Sequence, residues 1–297
     1  MSTGFPRADA ESDFNRQRRR EALARIAARL RSQPDDVSAA LPFEPVVDAL
    51  GRRGEHDLGV MTIPIGSIIG TVDRRPDSFD RSFRPRSPEL RSRWERIATA
   101  RRRGAAMPPI DVYRVGQIHF VIDGHHRVSV ARALGETTIE AHVREVRTEV
   151  GATPELNLRD LELKRHQRMF HERVPLPAAM RERIELHDEW RYARLADHVE
   201  AWGFRASHAA GRLLSREETA ERWFREDYDP VVEDLLAADV GGRGTEAERY
   251  LRIAMLRYLL LHTHDWTDEV VARLFEEVRP PQADDDTLVH QILKELR

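Results

Sequence analysis

Residues 118–135 constrain the fold of this chain more than any other stretch. An apolar run, Ile118-His-Phe-Val-Ile122, leads through Asp123-Gly124 into His125-His126-Arg127 and a helix-spaced segment that stops at Gly135. The spacing of apolar residues changes from two to about 3.6 across one turn, so the segment reads as strand, tight turn and amphipathic helix. Val128, Ala131 and Leu134 share the buried stripe of that helix, with Val130 beside it. Free backbone N–H groups and the positive end of the helix dipole then sit beside a glycine, two imidazoles and a guanidinium. That combination suits an anion, above all the phosphates of a nucleotide. The plainer alternative is a strand–turn–helix whose glycine only permits the turn.

Each polar residue of the box has two readings. Asp123 is an N-cap or a metal-holding carboxylate, and the cap is the commoner role. Arg127 pairs with a surface acid or presents its planar fork to phosphate oxygens, and the fork fits a helix N-terminus better.

The segment resembles the phosphate-binding motif of the ParB/sulfiredoxin superfamily, whose partitioning proteins carry Gly-Glu-Arg-Arg and whose sulfiredoxins carry Gly-Cys-His-Arg. Val60 to Val72 resembles the first strand and turn of that domain, and Pro108 to Arg114 followed by Ile118 to Ile122 resembles the hairpin entering the box. The similarity covers about residues 58–147. It implies an α+β fold: a small mixed-sheet ParB/sulfiredoxin-like domain over 58–150, with an N-terminal helix and an all-α C-terminal domain. It also implies nucleotide binding by Gly124, His125, His126 and Arg127, with Gly70 and Thr71 added from the upstream turn. Two departures matter. The chain has no cysteine, which excludes the thiol chemistry of sulfiredoxins, and His125 stands where partitioning proteins carry glutamate.

Composition bounds the remaining classes. The 297 residues are enough for two domains with cores of their own, and 40% hydrophobic with 33% charged residues describes a globular chain. No run approaches the eighteen or so apolar residues of a membrane span, so no membrane partner is expected. The N-terminus lacks a signal-peptide core, and zero cysteines exclude disulfides and thiolate zinc sites, giving a cytoplasmic expectation. A net charge of −3 is no nucleic-acid signature for the whole molecule.

Positive charge is nevertheless concentrated in two places. Residues 14–31 form a basic helix with Ala22, Leu23, Ile26, Ala27 and Leu30 on one face, which is expected to pack or self-associate. Residues 74–103 carry Arg74, Arg75, Arg81, Arg84, Arg86, Arg91, Arg93, Arg101, Arg102 and Arg103. That strip fits a nucleic-acid surface, with Arg84, Arg86, Arg101, Arg102 and Arg103 as candidate contacts. It also fits a chain whose only lysines are Lys164 and Lys294, so that nearly every surface cation is arginine.

Residues 1–57 read as a polar tail (1–13), the basic helix, a break at Gln33-Pro-Asp-Asp36, and an irregular stretch with a short helix near Val46 to Leu50. Helices are expected at 88–103 and, beyond a linker at Gly151 to Pro154, at 155–172, 177–202, 215–238, 245–264 and 267–278 in a domain spanning 155–297. Ser215-Arg-Glu-Glu218 fits a capping box, and Thr245 and Thr267 fit caps. A helix-turn-helix at Leu195 to Leu214 is rejected because Trp202-Gly203-Phe204 reads as a helix end and Arg205 to Leu213 lacks the apolar spacing of a recognition helix. Ser215 to Asp234 resembles a helical module that accompanies ParB-like domains in uncharacterised bacterial proteins. His262, His264 and Asp265 read as helix-terminal groups rather than metal ligands, and His166 and His171 as solvated.

The expectation drawn from the box is a nucleoside triphosphate, ATP or CTP with Mg²⁺, bound and then hydrolysed or used for phosphoryl transfer, with His125 and Asp123 as the catalytic candidates. The alternative is a DNA-associated protein of the partitioning type using the arginine strip. A ParB-like nuclease ranks third, because no carboxylate cluster stands beside the box. A homodimer is expected from the resemblance.

Overall fold

A computed structural model describes residues 4–31, 39–73, 78–239, 242–261, 263, 266–267, 269–270 and 272–273. The chain divides into two compact units, residues 1–168 and 169–297. The boundary falls beyond the 151–154 linker of the sequence reading, inside a helix that spans Asp160–Arg173. No helix among the described residues is long and apolar enough to cross a membrane.

The first unit opens with α1 (Pro6–Leu30), followed by β1 (Leu41–Pro42), α2 (Phe43–Leu50), β2 (Arg52–Pro64), β3 (Ile68–Thr71), α3 (Arg91–Arg102), β4 (Ile110–Val115), β5 (Ile118–Asp123), α4 (His125–Ala133) and β6 (Thr138–Thr148). The six strands form one mixed sheet in the order β1-β3-β5-β4-β6-β2. β3 lies parallel to β5 and β4 parallel to β6, while β4–β5 and β2–β6 are antiparallel. β5 is therefore covered on both faces, which is why Ile118, His119, Phe120 and Val121 are all buried and read as one continuous run. Ile118 and Phe120 pack with Leu41, Phe43 and Val46 of the α2 side. Val121 packs with Ile63, Ile110, Val112 and Val128 on the α4 side.

Three expectations for this unit are corrected. Residues 37–57 are not irregular in their described part: they hold β1, all of α2 and the start of β2. β2 is polar in sequence, but it pairs with β6 from Arg52–Thr148 to Pro64–Thr138, and those ladder bonds outweigh weak strand propensity. The tail is likewise helical from Pro6, a favoured residue at a helix start. Finally, α1 buries Ala10, Asp13, Phe14, Gln17, Glu21 and Ala28 rather than its most apolar face, leaving Leu23, Ile26 and Leu30 exposed. The reason lies across the interface. Phe14 meets the Trp94 ring of α3 edge-on at 5.6 Å, while Asp13 and Glu21 take up Arg102 and Arg86. Burying those carboxylates is tolerable because each has a guanidinium partner.

The second unit takes in the end of α5 (Asp160–Arg173), then α6 (Ala178–Arg181), α7 (Glu189–Ala210), α8 (Arg216–Trp223), a π-helical turn (Phe224–Tyr228), α9 (Asp229–Ala237) and α10 (Glu246–Leu261). The capping box forms as expected, with Glu218 N–H donating to Ser215 Oγ and the Glu218 carboxylate accepting from Ser215 N–H. Glu248 and Thr245 repeat it at the start of α10. α7 does not end at Gly203, which overturns one of the two reasons given against a helix-turn-helix, although a helix unbroken to Ala210 leaves no turn there either. Gly203 sits where a Cβ would collide with Thr219 of α8, so the residue serves close helix packing, and the αL cap comes at Gly211. His171 is buried, not solvated. His262, His264, Asp265, Arg74 and Arg75 lie outside the described residues, as do Gln33 to Asp36 and most of the 267–278 helix.

Candidate functional site

The strand–turn–helix of residues 118–135 forms as read, and its hinge is Gly124. With φ at +107° it caps α4 in a left-handed conformation, and a Cβ there would run into Ile110 of the neighbouring strand. No side chain caps α4 at Gly124, and Val128 N–H is the first amide to bond back into the helix, to Gly124 O at 3.0 Å. The amides of His125, His126 and Arg127 therefore have no intrahelical acceptor.

Beside that helix end is a cavity of about 160 Å³, lined on the polar side by Thr71, Asp73, Ser78, Arg93, His125 and His126. Phe79 and Phe83 wall it, their rings near-parallel to His125 at 6.2 and 6.1 Å, and His126 meets Phe79 edge-on at 5.3 Å. Pockets for drug-sized ligands run to about 300–1,000 Å³, so this one has the size of a phosphate group with water rather than of a nucleoside.

The electrostatics favour an anion bound through neutral donors and one cation. Burial pushes the pKa of His125 down, opposed in part by Asp73 and Asp123. Burial, with Arg93 and the neighbouring imidazole, takes His126 down to about 4. Both rings are thus neutral at pH 7. Thr71 Oγ1 lies 2.7 Å from His125 Nε2, accepts from Asp73 N–H at 2.9 Å and lies 3.5 Å from Val121 O, to which its hydroxyl donates. His126 Nδ1 is buried without a hydrogen-bond partner. Arg93, on the first turn of α3, is exposed and has no ion pair or hydrogen bond among the described residues.

Of the residues singled out from the sequence, His125, His126 and Thr71 meet in the cavity, and Gly124 supports it. Gly70 does not line it; the space a Cβ would take is filled by the Phe120 ring and the Leu41 carbonyl, making it a packing glycine. Asp123 and Arg127 pair with each other, and Arg127 also donates to Pro108 O at 2.7 Å and Pro109 O at 2.6 Å. This fork is thus committed to the backbone entering β4. Arg127 faces a second opening of about 390 Å³, shared with Arg101, Glu136 and Glu140. Sequence reasoning missed Arg93 and Asp73 as cavity residues. For Arg93 the only signal was its place within an arginine-rich stretch; which arginine reaches the box depends on how α3 docks.

That stretch is largely paired. Arg84 binds Asp80 at 2.7 Å, Arg86 binds Glu21, Arg101 binds Glu136 at 2.9 Å, and Arg102 binds Asp13. Of the five candidate nucleic-acid contacts, Arg103 alone is exposed without an ion pair among the described residues. Among the described residues, no three histidine or acidic side chains gather to hold a metal ion.

The geometry defines an α+β protein with a small anion-sized cavity at the end of a central strand. No family model matches this chain, and no curated protein matches it.

Proposed function

We propose that this chain binds a phosphorylated small molecule, a nucleoside triphosphate in the first instance, with its phosphates in the cavity at the start of α4. One observation carries the reading: hydrogen-bonding and charge capacity left unused around a single cavity. Among the described residues, His126 Nδ1 and the first amides of α4 have no partner there, and Arg93 has no counter-ion. Arg93 supplies the positive charge, the α4 amides and His126 the directed contacts, and Gly124 the close approach of backbone. Asp73 is the carboxylate that lines the cavity, on the side where a phosphate-bound Mg²⁺ would sit with most of its ligands as water and phosphate oxygens. The cavity's size assigns it to the phosphoryl end, with the nucleoside outside. Among phosphorylated ligands, the resemblance of the 58–147 region to the ParB/sulfiredoxin superfamily favours a nucleotide. In that reading His125, neutral and hydrogen-bonded to Thr71, is the group beside the reacting phosphate, and hydrolysis or phosphoryl transfer is the class of reaction.

The test is thermal stability with ATP, CTP, GTP, ADP or inorganic phosphate, each with and without Mg²⁺, for wild type and Arg93→Ala. A ligand at a hundred times its Kd adds about 2.7 kcal/mol. A nucleotide-dependent rise that Arg93→Ala removes is the expected result. No rise with any of them overturns the reading. A rise with duplex DNA alone, steeply weakened by salt, would favour the arginine strip instead.

A further inference from the structure

The outward face of α1 is a second feature turned to solvent. Leu23 is 59% exposed, Ile26 55% and Leu30 82%, although the helix buries polar residues on its other side. These three recur at three- and four-residue spacing, so they form one stripe about two turns long. Arg19, Arg20, Arg29 and Arg31 are exposed around it. Between Arg16 and Arg31 the sole acid is Glu21, and it is buried against Arg86. Among the described residues, this part of α1 therefore offers solvent apolar side chains, guanidinium groups and alanines.

We propose that this face docks on an anionic phospholipid surface, lying in the headgroup plane without crossing the bilayer. Charge complementarity names the partner. An apolar strip flanked by cations, with no exposed acid between Arg16 and Arg31, matches acyl chains beneath a layer of phosphates. DNA fits less well, because it rewards the arginines and leaves three aliphatic side chains against a polar backbone. A second copy of the chain fits less well too. It would bring like charge to like charge, and three side chains fall far short of the roughly 20–30 residues a side of a stable interface. The inference does not depend on the anion cavity. The same helix is tied to the loop after Phe83, with Arg18 donating to Arg86 O and Arg84 to Arg20 O at 3.2 Å, so the docking face is held rigidly on the first unit.

The experiment is co-sedimentation of the full chain with vesicles of phosphatidylcholine alone and with vesicles containing phosphatidylglycerol. Wild type and the triple variant Leu23→Ser/Ile26→Ser/Leu30→Ser are compared, with circular dichroism and Tm recorded for each. Because the three side chains are exposed, the variant keeps wild-type helicity and Tm. The expected result is binding to the anionic vesicles only, weakened by salt and reduced roughly tenfold or more in the triple variant. The proposal is overturned by absence of binding to anionic vesicles, or by binding that the triple variant retains in full. It is also overturned if the face proves to serve another partner. That would be a wild-type dimer that the triple variant dissolves, or DNA binding lost in Arg19→Ala/Arg20→Ala and kept in the triple variant, in either case without vesicle binding.

Discussion

The second unit buries Tyr250 at the meeting point of several polar groups, whereas the first unit gathers its polar groups around a cavity. Tyr250 donates its hydroxyl hydrogen to Asp227 and accepts from Trp223 Nε1 at 3.0 Å, with His198 Nε2 at 2.9 Å. Asp227 also accepts from Trp266 Nε1 at 3.2 Å, and Arg257 lies over the Trp266 ring at 3.8 Å. Its place on a π-helical turn would by itself suggest a functional site. Yet its hydrogen-bonding capacity is turned inward, so it locks helices together. Around His125 and His126 the partners are incomplete among the described residues, and both residues line a cavity. Unused capacity beside a cavity, rather than the presence of polar residues, is what separates a candidate binding site from a structural network.

Acid should expose the contrast most strongly. His119 and His126 have pKa values lowered to about 4, chiefly by burial, against 6.5 when unfolded, and His125 is lowered as well. The unfolded chain binds protons first as pH falls, so these groups contribute full stability above pH 6.5 and lose it towards pH 4. Each contributes a slope of up to about 1.4 kcal/mol per pH unit. Urea denaturation across that window should show the fall, and His119→Asn should flatten it; a pH-independent midpoint would break the assignment.

Gly124→Ala comes next, at about 3 kcal/mol, since the left-handed backbone and the Ile110 contact both oppose a Cβ. It should also abolish any phosphate-dependent stabilisation. Tyr250→Phe should cost about 2 kcal/mol by leaving Asp227 and Trp223 short of a partner. If the comparison is right, the same variant leaves the nucleotide response untouched in calorimetry. Arg93→Ala should change stability by less than about 0.5 kcal/mol, as expected of a surface cation, and remove the nucleotide response. Arg101→Ala removes an exposed pair with Glu136, should cost less than about 1 kcal/mol by chemical denaturation, and should leave the nucleotide response unchanged.

The features read correctly from the sequence are those whose causes are local. The β5–Gly124–α4 turn rests on an apolar run, a glycine and a change of period within eighteen residues. The Ser215–Glu218 capping box is a bond between neighbours on the chain. The errors share the opposite character. α1 has an obvious apolar face and buries another one, because Trp94, Arg86 and Arg102, about 70 to 90 residues away, select Phe14, Glu21 and Asp13. Gly203 resembles a helix stop until Thr219 is placed against it.

The same division runs through the candidate site. The sequence by itself determined that a flexible residue, two imidazoles and unbonded amides would stand together at the start of a helix, since covalent order holds them within one turn. Only the tertiary structure decided which cation joins them. Arg127 is adjacent in sequence, but its fork is taken by Asp123 and two proline carbonyls, while Arg93 arrives from another helix with no counter-ion among the described residues. A long side chain is placed by the packing of the element that carries it, and that packing is settled by contacts the local sequence does not contain.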